Sequence, residues 1–336
     1  MKAYLLDRYG KQQPLRLAVV PDPVPGEGDV LIEVHAAALN PLDSKIRDGA
    51  FKPLLPYKPP FILGHDVAGR VVQLGKGVTR FAVGDEVYAR PRDGRIGTLA
   101  ELIAVPAADV AHKPANISMI EAASLPLTAL TVWQALVEDG RVAAGQSVLI
   151  HAGSGGVGVV AIQLARHLGA IVATTAGSAG ADLVRSLGAE HVGDYRKQDF
   201  AAVLPPQDLI IASQDAATLA CSADLLKPGG MLISLSGPPD PAFARAQGLN
   251  ALLRLVFTGM SWGIRRKAKA RGAEYHFLFM RANGDQLAEI AKLVEAGAIK
   301  PVVDHTFALE AVNEAMAYLD QGRAKGKVVI DFARSA

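Results

Sequence analysis

The chain has 336 residues, of which half are hydrophobic, with 33 glycines and 20 prolines. This length exceeds what one hydrophobic core usually accommodates, so we expect two domains. The composition is typical of an enzyme and argues against a disordered or fibrous protein. Lys and Arg together number 35 and Asp and Glu 33, a formal net charge of +2. So small an excess gives no broad electrostatic case for nucleic-acid binding.

The cysteine count and the hydrophobic stretches predict a cytoplasmic protein. The single cysteine, Cys221, can form no internal disulfide and cannot supply a four-cysteine zinc lobe. Charged residues interrupt the N-terminal stretch, so we expect no signal peptide. Residues 147–165 lack charged side chains, but several glycines make a strand, loop and helix a better interpretation than a membrane span. We therefore expect no membrane partner.

Hydrophobic patterning predicts a β-rich first third followed by alternating strands and helices. Strands are expected over 30–36, 68–75 and 84–89, and helical spacing over 120–137 is interrupted by Pro126. The alternation that follows predicts a parallel, doubly wound sheet. The expected elements are a strand over 147–151, a helix over 156–168, a strand over 170–175, a helix over 181–187, strands over 191–195 and 208–212, a helix over 216–226, a turn at 227–230 and a strand over 231–235.

Residues 241–272 break this alternation and contain a basic cluster: Arg265, Arg266, Lys267, Lys269 and Arg271. The cluster is interpreted either as an anion or acidic-lipid site or as a solvated helix face or dimer-edge insertion, and the second interpretation is favoured. The tail returns to a helix over 286–296, a strand over 301–307, a helix over 309–319 and a strand over 327–332.

The most specific local motif is GxGxxG at Gly153, Gly155 and Gly158. It follows an apolar strand and opens an amphipathic helix, which is the context of dinucleotide binding. Gly153 permits the tight turn, Gly155 lets the backbone approach a pyrophosphate, and Gly158 lets helix and strand pack closely. The free amides and positive dipole end of the helix then face the phosphates. The candidate contacts are Gly153, Ser154, Gly155, Gly156, Val157 and Gly158; the alternative is a glycine-rich turn without a ligand.

The end of the second strand of the alternating region predicts NADPH rather than NADH. NAD enzymes usually place Asp or Glu there, about 20 residues past the loop, to bind the ribose 2′-hydroxyl. Here the segment reads TTAGS at 174–178, with hydroxyls and no carboxylate. The candidate partners of a 2′-phosphate are Thr175, Ser178, Tyr195 and Arg196; for each, a turn-capping or surface role is the alternative.

Several motifs along the chain form a specific combination: LNPLDSKIRDG at 39–49, LGHDVAG at 63–69, VGDEV at 83–87, LPLTALTVW at 125–133, the loop at 152–158 and GKVV at 326–329. On these motifs together the chain resembles the medium-chain dehydrogenase/reductase superfamily, in its zinc-independent quinone oxidoreductase (zeta-crystallin-like) branch. The resemblance implies an α/β fold in which a Rossmann domain (123–284) is inserted into a GroES-like catalytic domain (1–122, completed by 285–336). It also implies an active-site cleft between the domains and, commonly, a homodimer.

Departures from the zinc-dependent relatives argue against a metal. Those enzymes bind catalytic zinc with a cysteine near Asn40, a histidine near His65 and a cysteine or acid near Leu127, and here only His65 remains. One imidazole beside Asp66 does not supply three ligands, so His65 and Asp66 are expected to form a hydrogen-bonded pair or to line the cleft. Relatives also often carry a lysine shortly after Ser178, which is absent here, so a 2′-phosphate must be paired elsewhere.

Without zinc a saturated alcohol is hard to activate, whereas a quinone or an α,β-unsaturated carbonyl already accepts hydride through its conjugation. Asn40 is the first candidate for a polar group at the acceptor; Asp43, Lys45, Tyr57 and His65 are lower-ranked proton-relay candidates. The alternatives for Asn40 and Asp43 are loop and helix capping.

The resemblance implies that Thr128 lies near the nicotinamide, with helix capping as the alternative. Further candidates at strand ends are Ser213, Gln214, Ser236 and Gly237, and weaker ones are Phe279 and Lys327, a solvated surface being favoured for the lysine. The sequence therefore predicts a homodimeric NADPH-dependent reductase of quinones or activated alkenes. A zinc-type alcohol dehydrogenase and a non-catalytic NADPH-binding or RNA-binding protein remain as alternatives.

Overall fold

The computed structural model describes residues 1–52, 54–55 and 57–332. The chain divides into two compact units: unit 1 comprises Met1–Leu130 and Arg281–Ala336, and unit 2 comprises Thr131–Met280. The boundaries thus lie at 130/131 and 280/281, whereas the sequence predicted 122/123 and 284/285. The start of the helix after residue 125 belongs to unit 1, where the Leu127 amide donates to Asp66 Oδ1 at 2.7 Å.

The first segment of unit 1 consists mainly of strands joined by turns and short helices. Its elements are β1 (Lys2–Leu6), β2 (Arg16–Val19), β3 (Asp29–Leu39), α1 (Pro41–Arg47), β4 (Phe61–Ile62), β5 (Asp66–Leu74), β6 (Glu86–Ala89), β7 (Leu102–Pro106), β8 (Val110–His112), α2 (Met119–Ala123) and α3 (Pro126–Trp133). The predicted strands at 30–36, 68–75 and 84–89 are confirmed as β3, β5 and β6. Helical spacing around Pro126 is also confirmed, because α3 begins at that proline. Proline has no backbone N–H, and the first position of a helix offers no carbonyl for one to bond.

Unit 2 alternates strands and helices as predicted. A π-helical turn (Gln134–Asp139) precedes β9 (Ser147–Ile150), α4 (Gly156–His167), β10 (Ile171–Thr175), α5 (Ala181–Leu187), β11 (His191–Gly193), α6 (Phe200–Val203), β12 (Gln207–Ala212), α7 (Ala216–Asp224), β13 (Leu226–Ser234), α8 (Pro241–Ala246), α9 (Ala251–Ala270) and β14 (Glu274–Phe277). The strands are parallel in the order β11-β10-β9-β12-β13-β14. Because both faces of this sheet are covered, its central strands are uniformly apolar, as in Val148, Leu149 and Ile150.

One predicted turn in unit 2 is wrong. The sequence KPGG at 227–230 lies inside β13, which already begins at Leu226. The pairing of β12 with β13 shifts register between Gln207 and Leu209, and Gly229 there takes a positive φ of 79°. A bulge therefore absorbs the glycines that the sequence indicated as a turn.

The returning tail completes unit 1 with α10 (Gly284–Glu295), β15 (Val303–Ala308), α11 (Val312–Asp320) and β16 (Lys327–Asp331). β16 pairs antiparallel with β3, so the two chain ends share one sheet, in the order β15-β16-β3-β5-β6-β8 with β7 also on β3. A core that includes Ile32, Val67, Val87 and Ile330 lies on this sheet. In the part of the chain that the structure describes, no helix is long and apolar enough to span a bilayer.

Candidate functional site

The loops predicted to bind a nucleotide lie at one edge of the unit 2 sheet. In register, Thr174 lies beside Ile150, and Ile150 beside Ile211. The next pair is Ala212 beside Ser234. Because these strands are parallel, their carboxyl ends meet at one edge, which is where doubly wound sheets bind ligands.

The glycine loop has the geometry of a phosphate cradle. A Cβ on Gly153 would lie 2.1 Å from Thr174 Oγ1, and one on Gly158 would lie 2.5 Å from the Ala152 carbonyl oxygen, so both positions exclude a side chain. A Cβ on Gly155 would meet only that carbonyl, at 3.3 Å. Gly155 is also the N-cap of α4 and supplies no capping side chain. The amides of the first turn of α4 are therefore open to an anion.

His151 stabilises this loop through the Thr175 hydroxyl, a role that no sequence motif indicated. Its Nδ1 lies 3.1 Å from Thr175 Oγ1, and its Nε2 lies 2.8 Å from Ser222 Oγ. Ser222 donates its proton to the Thr218 carbonyl, so Nε2 of His151 is the donor and Nδ1 the acceptor. Burial lowers the pKa of His151 to about 4, so this ring is neutral at physiological pH.

Thr175 contributes to this support rather than facing a ligand. Its hydroxyl accepts the Ala152 amide at 3.1 Å and donates to His151, and the residue is buried. The prediction of Thr175 as a partner of a 2′-phosphate is therefore wrong, and its hydroxyl has the turn-capping role given as the alternative. The physical reason is that Ala152 takes a positive φ of 52°, and its amide needs an acceptor inside the turn.

The other predicted 2′-phosphate partners come together at the ends of β10 and β11. Ser178, Tyr195 and Arg196 are exposed. A Cβ on Gly177 would lie 3.7 Å from both Arg196 Nε and the Tyr195 ring, so the two strand ends are in contact. The Arg196 guanidinium lies over the Tyr195 ring, 5.6 Å from its centroid. This corner is basic and carries no carboxylate on β10 itself.

The remaining predicted contacts in unit 2 lie at the same edge. The Ser236 hydroxyl donates to the Ser213 carbonyl at 2.7 Å, which joins the ends of β12 and β13. Gln214 bonds the Ser213 hydroxyl at 3.1 Å, and Gly237 donates its amide to Ser234 Oγ. Phe279 follows β14 and packs on Phe243, with ring centroids 5.4 Å apart.

Unit 1 contains a buried polar cluster formed by Asn40, Asp66 and Lys327. The Asn40 Nδ2 donates to Asp66 Oδ2 at 2.9 Å, while Lys327 Nζ donates to Asn40 Oδ1 and, at 3.0 Å, to Asp66 Oδ2. All three side chains are at least 96% buried. The solvated surface that the sequence favoured for Lys327 is therefore wrong. The chemistry of the partners also fixes the orientation of the Asn40 amide, oxygen towards the ammonium and nitrogen towards the carboxylate.

Asp43 and His65 form a second, adjoining pair. The His65 Nδ1 lies 2.7 Å from Asp43 Oδ1, and Asp43 Oδ2 accepts the backbone N–H of Asn40 at 2.8 Å. The expected His65–Asp66 pair is thus wrong, because neighbouring residues in an extended chain point to opposite sides. Asp66 instead binds Asn40, Lys327 and the Leu127 amide.

Three other predicted residues lie outside this cluster. Lys45 is exposed on α1. Tyr57 stacks on Phe61 at 5.2 Å, its hydroxyl accepts the Gly94 amide, and burial raises its pKa. Thr128 is buried, and its hydroxyl donates to the Leu125 carbonyl at 3.0 Å, a bond back to the start of its own helix.

The unit 1 cluster does not fit catalytic zinc. His65 Nε2 is buried without a hydrogen-bond partner in the described residues. Of the three positions that bind zinc in the zinc-dependent relatives, His65 is the one that still carries a ligand side chain, because the others are Asn40 and Leu127. Lys327 brings a positive charge to Asp66, which disfavours a cation there. Across the described residues, no group of three His, Cys, Asp or Glu side chains could hold a metal ion.

Two further polar features had no specific sequence signal. Arg90 is buried, and although its Nη2 donates to Asp93 at 2.6 Å, Nε and Nη1 have no hydrogen-bond partner in the described part of the chain. His276 lies between Asp139 (3.2 Å) and Asp240 (3.4 Å). Hydrogen bonds to these two carboxylates raise its pKa to about 9. Its partners come from separate parts of the chain, which is why sequence spacing could not indicate them.

Comparison with known families and proteins identifies relatives of the whole chain. Residues 26–115 match the family described as alcohol dehydrogenase GroES-like domain, and residues 187–330 match zinc-binding dehydrogenase. The chain is 34% identical to the human mitochondrial NAD(P)H oxidoreductase RTN4IP1, over 98% of this chain and 89% of the relative. It is 36% identical to an Arabidopsis thaliana chloroplastic NADPH-dependent alkenal/one oxidoreductase, over 98% and 79%.

Among solved structures, the quinone oxidoreductase from Coxiella burnetii superposes with a TM-score of 0.86 at 31% identity, covering 99% of both chains. Together with the GroES-like match, it confirms the predicted α/β fold of a GroES-like domain with a Rossmann domain. The relatives are named as oxidoreductases that use nicotinamide cofactors, which indicates the same broad chemistry here. Because some relatives are mitochondrial or chloroplastic, the predicted cytoplasmic location is not confirmed.

Proposed function

This chain belongs to the medium-chain dehydrogenase/reductase superfamily, and from that premise we propose that it transfers hydride from NADPH to a quinone or an α,β-unsaturated carbonyl compound. The observation that carries the proposal is the uncapped start of α4. The loop before it excludes side chains at Gly153 and Gly158 and leaves the space at Gly155 open. Backbone amides and the helix dipole at this point favour an anionic group such as the pyrophosphate of a dinucleotide.

NADPH is proposed over NADH because of the corner formed by Ser178, Tyr195 and Arg196. A 2′-phosphate there would accept a hydrogen bond from the serine hydroxyl and pair with the guanidinium. The acids on the neighbouring elements have cationic partners of their own: Asp182 lies 3.5 Å from Arg185, and Asp194 lies 3.7 Å from Lys197. The corner therefore offers the positive charge of Arg196, and the acids beside it are paired with other cations.

When bound, the reduced nicotinamide supplies the hydride. The acceptor's carbonyl oxygen then gains negative charge, which a hydrogen-bond donor of unit 1 would stabilise. We assign this role first to Asn40. Asp66 and Lys327 fix its amide, and one Nδ2 hydrogen has only a contact of 3.5 Å, to the Ala38 carbonyl. That hydrogen is the available donor. A preorganised donor of this kind typically contributes about 10²- to 10³-fold in kcat.

The proton that the reduced acceptor needs has one candidate source in the same cluster. His65 is held through Nδ1 by Asp43, which leaves its buried Nε2 unpartnered. As an imidazolium with Nδ1–H on Asp43, the ring would carry a second proton on Nε2, give it to the acceptor and become the neutral imidazole. No zinc takes part in this proposal, because the conjugated acceptor needs no Lewis acid to receive hydride.

The test begins with nucleotide binding. Gly155→Ala places a methyl group where a pyrophosphate would lie, so we expect at least tenfold weaker NADPH binding in calorimetry, about 1.4 kcal/mol. Gly10→Ala is the matched control, since a Cβ there meets only the Gln13 side chain, at 3.6 Å. Equal NADPH affinity in the two variants would contradict the proposed cradle.

The second part of the test measures turnover. NADPH oxidation, followed at about 340 nm where the reduced ring absorbs, is expected with quinones and enones and not with saturated aldehydes. Asn40→Ala should lower kcat about 10²-fold with little change in the KM for NADPH, whereas Asn116→Ala, in an exposed turn, should not. Tight NADPH binding without turnover on any acceptor would favour a non-catalytic protein.

We also propose that the chain forms a homodimer, on the strength of the family resemblance. β14 is the edge strand of the unit 2 sheet in the described chain, and an edge strand can pair with a second copy. Light scattering after size-exclusion chromatography should give twice the chain mass. A monomer at all accessible concentrations would exclude it.

A further inference from the structure

Helix α9 presents an apolar surface that nothing in unit 2 covers. Leu252, Leu255, Met260 and Trp262 are each more than half exposed: 70%, 69%, 56% and 57%. At 100° per residue they lie on one side of the helix, together with the half-exposed Val256. The opposite side faces unit 2 through Ser261 and Ala268, which are buried.

The surface is open along its middle as well. Gly259 and Gly263 lie on the same side, and a Cβ on either would meet nothing within 4 Å. Exposed apolar patches of this kind are rare on soluble proteins unless they contact a partner. The exposed face is therefore a candidate contact surface rather than part of the core.

The same helix is strongly basic. Between residues 251 and 271 there are six Lys and Arg and no Asp or Glu, in a chain whose net charge is only +2. Lys267 pairs with Asp224 at 2.7 Å, and Arg271 also bonds Asp224, through its carbonyl oxygen. Arg265 and Lys269 are exposed and form no ion pair in the described part of the chain.

The apolar and basic parts adjoin along the axis. The exposed apolar side chains lie between Leu252 and Trp262, and five of the six basic ones follow between Arg265 and Arg271, Arg254 being the exception. The Arg266 guanidinium lies 5.1 Å from the centroid of the Trp262 ring. A helix of 20 residues with a broad apolar side, an interfacial tryptophan and only positive charges has the pattern of one that lies in a bilayer surface.

We propose that α9 docks this protein onto an anionic lipid bilayer, with its apolar side in the interface and its basic end on acidic headgroups. A second copy of the chain would bring two acid-free basic helices together, so charge disfavours that occupant. A nucleic acid would leave the leucines and the tryptophan unburied. The proposal departs from the expected absence of a membrane partner and is independent of the proposed reaction.

The test uses the full chain and vesicles of phosphatidylcholine, alone or with phosphatidylglycerol. We expect co-sedimentation with the anionic vesicles, weakened by added salt. Leu255→Ser combined with Trp262→Ser should bind them at least tenfold more weakly. Val24→Ser combined with Val83→Ser, which changes valines 84% and 64% exposed elsewhere, should bind like the parent.

Charge is tested separately. Arg265→Glu combined with Lys269→Glu should lose the preference for anionic vesicles, whereas Lys11→Glu with Lys76→Glu, the same change in net charge at other exposed positions, should keep it. Far-ultraviolet circular dichroism and thermal melting check that each variant is folded, without reference to the proposed reaction.

Trp262 supplies a direct signal. In a Trp133→Phe background it is the only tryptophan, and its emission should shift to the blue on anionic vesicles. No binding to either vesicle, or equal binding by the α9 and control variants, would overturn the proposal. So would a dimer that the Leu255→Ser and Trp262→Ser changes dissociate in the absence of lipid, since a second copy would then cover the surface.

Discussion

The glycine edge of unit 2, which is the loop at 153–158 with its supporting residues, is held by neutral groups. The polar cluster of unit 1, formed by Asn40, Asp66 and Lys327, is held by charged ones. At the edge, neutral hydrogen bonds around His151 hold a loop whose backbone amides remain open. In the cluster, Asp66 and Lys327 are buried charges whose bonds are largely made inside the protein. An open site that must accept an anion keeps charge away from its support, whereas a fixed amide donor such as Asn40 is held by charges that compensate each other.

The largest expected effect comes from removing one charge of the cluster. Lys327→Met leaves the Asp66 carboxylate buried without its cation, and we expect the free energy of unfolding to fall by about 3–5 kcal/mol in urea denaturation. If this variant is as stable as the parent, the Asp66–Lys327 charge pair does not stabilise the cluster, and the contrast with the glycine edge is wrong.

A double variant isolates the charge from the packing. Asp66→Asn combined with Lys327→Met removes both charges while keeping similar volumes, so much of the lost stability should return. If the double variant is as unstable as the sum of the single ones, packing and not charge pairing stabilises the cluster.

The glycine edge predicts a dependence on acid pH. Burial lowers the pKa of His151 from 6.5 to about 4, so between these values the unfolded chain binds a proton that the folded chain does not. The contribution of His151 to stability is therefore fully present above pH 6.5 and is lost as the pH falls towards 4, by about 3 kcal/mol. Denaturation midpoints measured across this range should show the decline, and His151→Gln should flatten it.

His276 extends the comparison to a second histidine of unit 2, whose pKa shifts in the direction opposite to that of His151. Bonds to Asp139 and Asp240 raise its pKa to about 9, so its stabilisation is fully present below pH 6.5 and is lost as the pH rises through 9. Because the ring and Asp139 are each 31% exposed, screening reduces the effect to about 2 kcal/mol. Melts of the parent and His276→Gln should converge at high pH; a difference that does not change with pH would show that folding leaves the pKa of His276 unchanged.

The two regions also differ in how far the sequence predicted them. The glycine loop is one local segment in which strand, turn and helix signals agree, so its geometry followed from Gly153 to Gly158 alone. The cluster joins Asn40 to a lysine 287 residues later, through the pairing of β16 with β3. No local pattern encodes that contact, and the expected His65–Asp66 pair was wrong because adjacency in sequence is not adjacency of side chains.

The smallest expected effect concerns Arg196, which the sequence predicted as a partner of the 2′-phosphate. Arg196→Gln should weaken NADPH binding about tenfold, or 1.4 kcal/mol, because one exposed guanidinium contributes modestly in water. Binding of NADH, which has no 2′-phosphate, should be unchanged. Arg70→Gln is the matched control, since Arg70 is an exposed arginine on β5 that pairs with Glu86, away from this corner. Calorimetric titration of both nucleotides measures the ratio. If Arg196→Gln weakens both equally, the side chain stabilises the β11 turn, and the preference for NADPH must come from Ser178 and Tyr195.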